Sequence, residues 1–271
     1  MGLFDNSYQH RGVLKTPHEK KGFFKFWEVY GRHMWKLLEV NLLYLLFCLP
    51  VVTIGPATAA MTKVCRNYSQ ERNVFLLADF WDSFKKNLKQ GFIMSAVDII
   101  FICGFIVGVP TYYAWAQANP MIYVPFFISL MCMLTFIMMH FYIYIMISST
   151  NLKMWQILKN SFYLVALDLK ASLWTLLVYF LVVFTCYALL PASLFVIIFW
   201  PFSFLCFVSC FNCYPVVRKH VIQPYYDKRG EQNPEFEYMN GTKEEQLFED
   251  RAAEEKPVKE EKRSKKKKKI S

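Results

Sequence analysis

Between Ala171 and Val217 the chain carries no charged residue. Coiled as helix at ~1.5 Å per residue, that stretch is about 70 Å long, more than two bilayer hydrocarbon cores. A water-soluble fold is therefore excluded. The rest of the composition agrees, with 55% hydrophobic and 19% charged residues, and more than half of the charges lie beyond Val217. Collagenous, wholly disordered and disulfide-framework classes are excluded too, because apolar mass is high and the eight cysteines fall mostly inside apolar runs.

Five apolar stretches stand out, which predicts an all-α polytopic membrane protein. The first peaks at Leu42 to Ile54. The second covers Gly91 to Trp115 with Asp98 as its one charge, and the third covers Met121 to Ser149 with His140. The fourth, Ala171 to Leu190, stops at Pro191. The fifth, Ala192 to Val217, contains Pro201, where the missing amide predicts a kink. Lys and Arg gather in cytoplasmic loops. Thr62 to Gln90 and Asn151 to Lys170 carry such residues and are expected inside, whereas Thr111 to Pro120 and Leu190 to Ser193 carry none and are expected outside.

The first stretch breaks this pattern, because basic residues flank it on both sides. The run Pro50-Val51-Val52-Thr53-Ile54-Gly55-Pro56-Ala57-Thr58 offers a resolution: Pro50 and Gly55 interrupt a helix, and Pro56 suits the first turn of a returning one. A short return leg from Pro56 to about Val64 is expected, with Lys63 reaching for the interface. A plain span with an external N-terminus is the alternative. The segments beginning at Phe26, Phe80 and Met154 share an apolar residue, then Trp27, Trp81 or Trp155, an acid or amide, and basic or polar groups beyond. Each precedes an apolar stretch and has the spacing of an interfacial helix. If all three enter from one side, the molecule is three helical hairpins with a truncated first one; chance likeness among amphipathic helices is the other explanation.

The expected domains are a cytoplasmic leader (1–22), a helical membrane domain (23–226) and a charged cytoplasmic tail (227–271) rich in Glu and Lys and lacking apolar periodicity. Lys265, Lys266, Lys267, Lys268 and Lys269 form a polybasic run suited to anionic lipid. A cell-membrane location with both termini cytoplasmic follows, with the bilayer as partner and no role for nucleic acid.

Polar groups at membrane depth mark function or pairing, which singles out Glu39, Asn41, Asp98 and His140. Asp98 is the foremost, either as a substrate or proton site or as a structural partner of Asn41 or a hydroxyl on a neighbouring helix. His140 is a relay or a packed imidazole, and Glu39 lies near the interface. Cys206, Cys210 and Cys213 share one helical face but lack the fourth ligand and loop geometry of a zinc or cluster site. No phosphate-binding loop, metalloprotease or nucleophile-elbow motif is present. No enzyme activity, metal or cofactor is expected.

Asn41 through Met61, with its Leu49-Pro50-Val51-Val52-Thr53-Ile54-Gly55-Pro56-Ala57-Thr58-Ala59-Ala60-Met61 core, and Asp79 through Asn87 resemble the YesL-like family of bacterial integral membrane proteins. Lys159-Asn160, Tyr214-Pro215 and Ile222 through Tyr226 add to the likeness, which covers most of residues 22–226. The resemblance implies a small helical membrane protein of unknown activity, encoded beside carbohydrate ABC importers and glycan-degrading enzymes. An accessory role in oligosaccharide import, with the importer's permease subunits as partners, is what it suggests. The long charged tail departs from that pattern. An independent small transporter or channel, which the broken helix and the buried polar residues would suit, and a membrane scaffold remain as alternatives.

Overall fold

The computed structural model describes residues 22–230 and 233, so residues 1–21 of the leader and the polybasic run at Lys265 to Lys269 lie outside it. The described residues are helical, without strands, and fall into two units, the first ending at Ile222. The second unit opens with a short helix, Gln223–Arg229.

The first unit begins with α1 (Gly22–Cys48), which ends at Pro50. A 3-10 turn, Val51–Thr53, leads into α2 (Ile54–Ser69). The two helices are antiparallel, since Tyr44 meets Thr58 while His33 stacks on Tyr68 and Arg32 pairs with Glu71. The chain therefore turns back at the proline- and glycine-rich break. Thr53 secures the corner by donating its hydroxyl to Pro50 O at 2.6 Å and also to Phe47 O. The return leg is longer than expected from sequence. It continues past Val64 to Ser69, because Cys65, Arg66 and Tyr68 are themselves buried against neighbouring helices.

Five helices pack around α2: α1, α3 (Leu76–Lys86), α4 (Leu88–Ala118), α5 (Tyr123–Ser149) and α9 (Pro201–Val217). A helix so surrounded needs small side chains to let backbones approach. Ala57, Ala59 and Ala60 have no exposed surface. The closest approach is to α4, where a methyl group on Gly55 would stand 2.2 Å from Gly91 O and one on Gly91 would stand 2.5 Å from Pro56 N. Gly55 N donates to Ser95 Oγ at 2.9 Å across the same junction.

Three described stretches are long and apolar enough to cross a membrane: Leu88–Ala118, Pro120–Ser149 and Leu169–Ala188. They match the second, third and fourth apolar stretches, and the last is α7. The fifth becomes a pair, α8 (Ser193–Phe199) and α9, bent by 55° at Pro201 as its missing amide predicts. The first does not form such a helix. Its residues are divided between the last turns of α1, the 3-10 turn and the start of α2, so three or four spans replace the expected five by length and composition.

Two of the tryptophan segments fold as separate helices, α3 and α6 (Met154–Leu167), whereas the first runs unbroken into α1. Trp27, Trp81 and Trp155 are all exposed, Trp155 at 77%. Lys85 lies 4.7 Å from the Trp81 ring centroid.

Candidate functional site

The four polar residues selected at membrane depth separate into different environments. Glu39 is exposed on α1 and takes no part in the interior. Asn41, two positions later, is fully buried and faces the break between α8 and α9. Helix ends leave carbonyls and amides unpaired, and here one side chain serves both ends. Asn41 Nδ2 donates to Ile198 O at 2.7 Å, and Ser203 N donates to Asn41 Oδ1 at 2.9 Å.

Asp98 and His140 come together. Asp98 lies ten positions into α4 and His140 nine before the end of α5, so each is about 14–15 Å from the α3/α6 side at 1.5 Å per residue. His140 Nε2 is 3.0 Å from Asp98 Oδ1, and Tyr144 Oη donates to Asp98 Oδ2 at 3.0 Å. Of the two structural partners expected for Asp98, the neighbouring hydroxyl is the one present, while Asn41 is engaged elsewhere. Tyr144 escapes notice in the sequence because a tyrosine in an apolar run is unremarkable alone. Its place one turn after His140, at i and i+4, is the signal that could have found it.

His140 and Tyr144 face a cavity of about 640 Å³ between α1, α2, α4, α5, α7 and α9. Along α5 it extends from Met133 to Ile145, about 18 Å at 1.5 Å per residue. Its polar groups gather toward the α3/α6 side, where Thr62, Tyr179 and Ser209 join His140 and Tyr144. Tyr179 and Ser209 share a hydrogen bond of 2.8 Å. Val109, Pro110, Met133 and Phe202 line the other end. Thr58, from the helix-break motif, contributes at the wall with Tyr44, 3.3 Å from its hydroxyl.

Cys206 and Cys210 pack on Thr62, at 3.6 Å from its hydroxyl and carbonyl oxygens respectively, and Cys213 on Thr175 at 3.7 Å. Among the described residues no group of three His, Cys, Asp or Glu is placed to hold a metal ion. The thiols fill space between α9 and its neighbours, as buried free cysteines ordinarily do.

Beyond the apolar depth, at the α3 end of α1 and α2, His33 stacks on Tyr68 with centroids 4.9 Å apart. Burial first, then the charges of Lys36 and Arg32, pull the His33 pKa below its ordinary value, and Glu71 opposes them. Burial, with nearby Cys65 and Glu39 adding to it, pushes the Tyr68 phenol up to about 12.

A family model described as a protein of unknown function, DUF624, matches residues 37–109. The matched span holds Asn41, the Pro50 to Thr58 break, Gly91 and Asp98, but stops before His140 and Tyr144. No curated protein and no solved structure gives a significant match. What the chain is similar to is therefore a stretch of a family without assigned activity, covering the α1/α2 turn and the first two-thirds of α4.

Proposed function

We propose that this integral membrane protein is a small independent transporter or binding protein whose working site is the cavity faced by His140 and Tyr144. The observation that carries the proposal is the polar cluster on Asp98, placed at one end of a ligand-sized space between helices of spanning length. Small-molecule sites have this composition, mainly apolar walls with a few convergent polar groups, and volumes of about 300–1,000 Å³. Ionisable groups inside a membrane are costly and usually retained for such work. Two further features support movement. The walls include α2, which begins at a helix break, and α9, which follows another, and discontinuous helices commonly build midplane sites.

The protein is not an enzyme in this proposal. Among the described residues the nearest polar partner of His140 is the Asp98 carboxyl, a pairing that holds the imidazole in place. It resides in the cell membrane, with the basic segments around α3 and α6 on the cytosolic side. An accessory role beside the permease subunits of an oligosaccharide importer is a separate proposal whose support is the YesL-like resemblance. The cavity favours the first reading, because sugars need many hydrogen-bonding groups and this wall is mostly aliphatic and aromatic.

The test is a comparison of small molecules that co-purify with the wild-type protein and with Ile106→Trp, a variant that fills the cavity mouth from an exposed position. A species held by the wild type and missing from the variant is expected. Identical extracts would count against the cavity as a working site. Recovery of importer permease subunits in the same preparations would support the accessory role, and their absence would weaken it.

A further inference from the structure

The cavity has an electrical character as well as a shape. No Lys or Arg lines it. The nearest basic residues on the lining helices are Lys63 and Arg66 of α2, the latter one turn beyond Thr62 and turned to the Tyr214 ring at 5.4 Å, then Lys89 in α4 and Lys170 in α7, while α5 has none. Asp98 is thus the one Asp, Glu, Lys or Arg at this depth of α4, α5 and α7, with the His140 imidazole 3.0 Å from its carboxyl. Its carboxyl stands one layer behind the wall, 16% exposed, with His140 and Tyr144 between it and the space.

The wall itself is aromatic. Seven Phe and Tyr rings line the cavity, Phe105, Phe136, Tyr144 and Phe202 among them, and ring faces attract cations through their quadrupole. Tyr144 links that wall to Asp98, since its hydroxyl donates to Asp98 Oδ2 at 3.0 Å. An anion meets the opposite field from the rings, and no guanidinium or ammonium lines the space.

The space also faces lipid. Ile102 and Ile106, which line it, are 52% and 68% exposed on the outer surface of α4, and Met133 of α5 and Phe202 of α9 are partly exposed as well. A ligand entering between these side chains comes from the hydrocarbon interior, so its body must be apolar.

We infer that the cavity takes singly charged organic cations with a bulky apolar body, held by the aromatic walls and by the charge of Asp98 behind Tyr144 and His140. This deepens the working-site reading above and rests on it. Recognition by one carboxylate and several rings has few directional demands, so a range of such cations would fit.

The experiment uses the full chain in phosphatidylcholine nanodiscs, with tetraphenylphosphonium and tetraphenylborate as probes of matched size and opposite charge. Binding is measured by equilibrium dialysis against protein-free discs. Saturable binding of tetraphenylphosphonium is expected, without competition from tetraphenylborate. Asp98→Asn should weaken it about tenfold or more, Asp98→Glu should retain it, and Ile106→Trp should abolish it. Thermal melting of each variant verifies folding, and should Asp98→Asn fail to fold, the contrast between the two probes on the wild type decides. Equal binding of both ions, blocked by Ile106→Trp, would overturn the cation selectivity while sparing the cavity. No saturable binding of either probe by the wild type would overturn the selectivity, and co-purification of a blockable uncharged species would then decide the cavity by itself.

Discussion

Asn41 and Glu39 stand two positions apart on α1 and have opposite fates. Glu39 is exposed, whereas the Asn41 amide closes the gap between α8 and α9 with a donor and an acceptor. Replacing Asn41 by Ala leaves the Ser203 amide and the Ile198 carbonyl unpaired in a dry interior, where each orphaned group costs about 1–3 kcal/mol. A lower melting temperature in detergent is expected for Asn41→Ala, with Glu39→Ala within about 0.5 kcal/mol of wild type; equal melting of the two would refute the capping role. His33 supplies a pH dependence. Its folded pKa lies below the ordinary value, so the unfolded chain binds more protons in the window beneath ~6.5, and stability rises with pH there and is lost on acidification. The melting temperature should therefore fall between pH 7.5 and 5.5, and by less in His33→Gln. Asn41 was readable as a polar group in an apolar run, whereas nothing in the sequence marked His33. Their partners were not readable, because Asn41 reaches a backbone break some 160 positions away and His33 meets Tyr68 only after the chain has turned back.

At the scale of elements, the pairing of α2 with α4 depends on two glycines facing each other. A methyl group at either position meets backbone atoms, which cannot swing aside. Gly91→Ala and Gly55→Ala should each cost roughly 1–3 kcal/mol, the range for overpacking a tight contact. Gly104 is the control, since a methyl group there has nothing within 4 Å. Its Ala variant should melt with the wild type, or slightly above because alanine favours helix over glycine, and a loss matching that of Gly91→Ala would refute the close contact as the cause. The helix-break motif was legible as a corner from Pro50, Gly55 and Pro56. The length of the leg that follows was not, because hydropathy judges Arg66 as a group that must leave the membrane, while in the fold it is buried with its guanidinium 5.4 Å from the Tyr214 ring centroid.

For the whole molecule, the topology expected is one in which the turn after α2 and the approach to α6 share a side of the membrane, opposite Asn119. Cysteines placed at Arg72 and Asn151, in a background without accessible native thiols, should label only after the cell envelope is permeabilised. One placed at Asn119 should label in intact cells. Labelling of all three in intact cells would overturn this sidedness. The membrane character of the chain was determined by the sequence alone, since uncharged runs longer than the hydrocarbon core leave a helix no alternative that pairs its backbone groups. The kink at Pro201 and the corner at Pro50 were likewise local, because a missing amide acts wherever its residue sits. Only the tertiary structure decided that α2 lies at the centre, that Asp98 meets His140 and Tyr144, and that a cavity opens beside them. Those facts depend on which faces of separate helices come together, and hydrophobic periodicity cannot select among faces that are apolar all round.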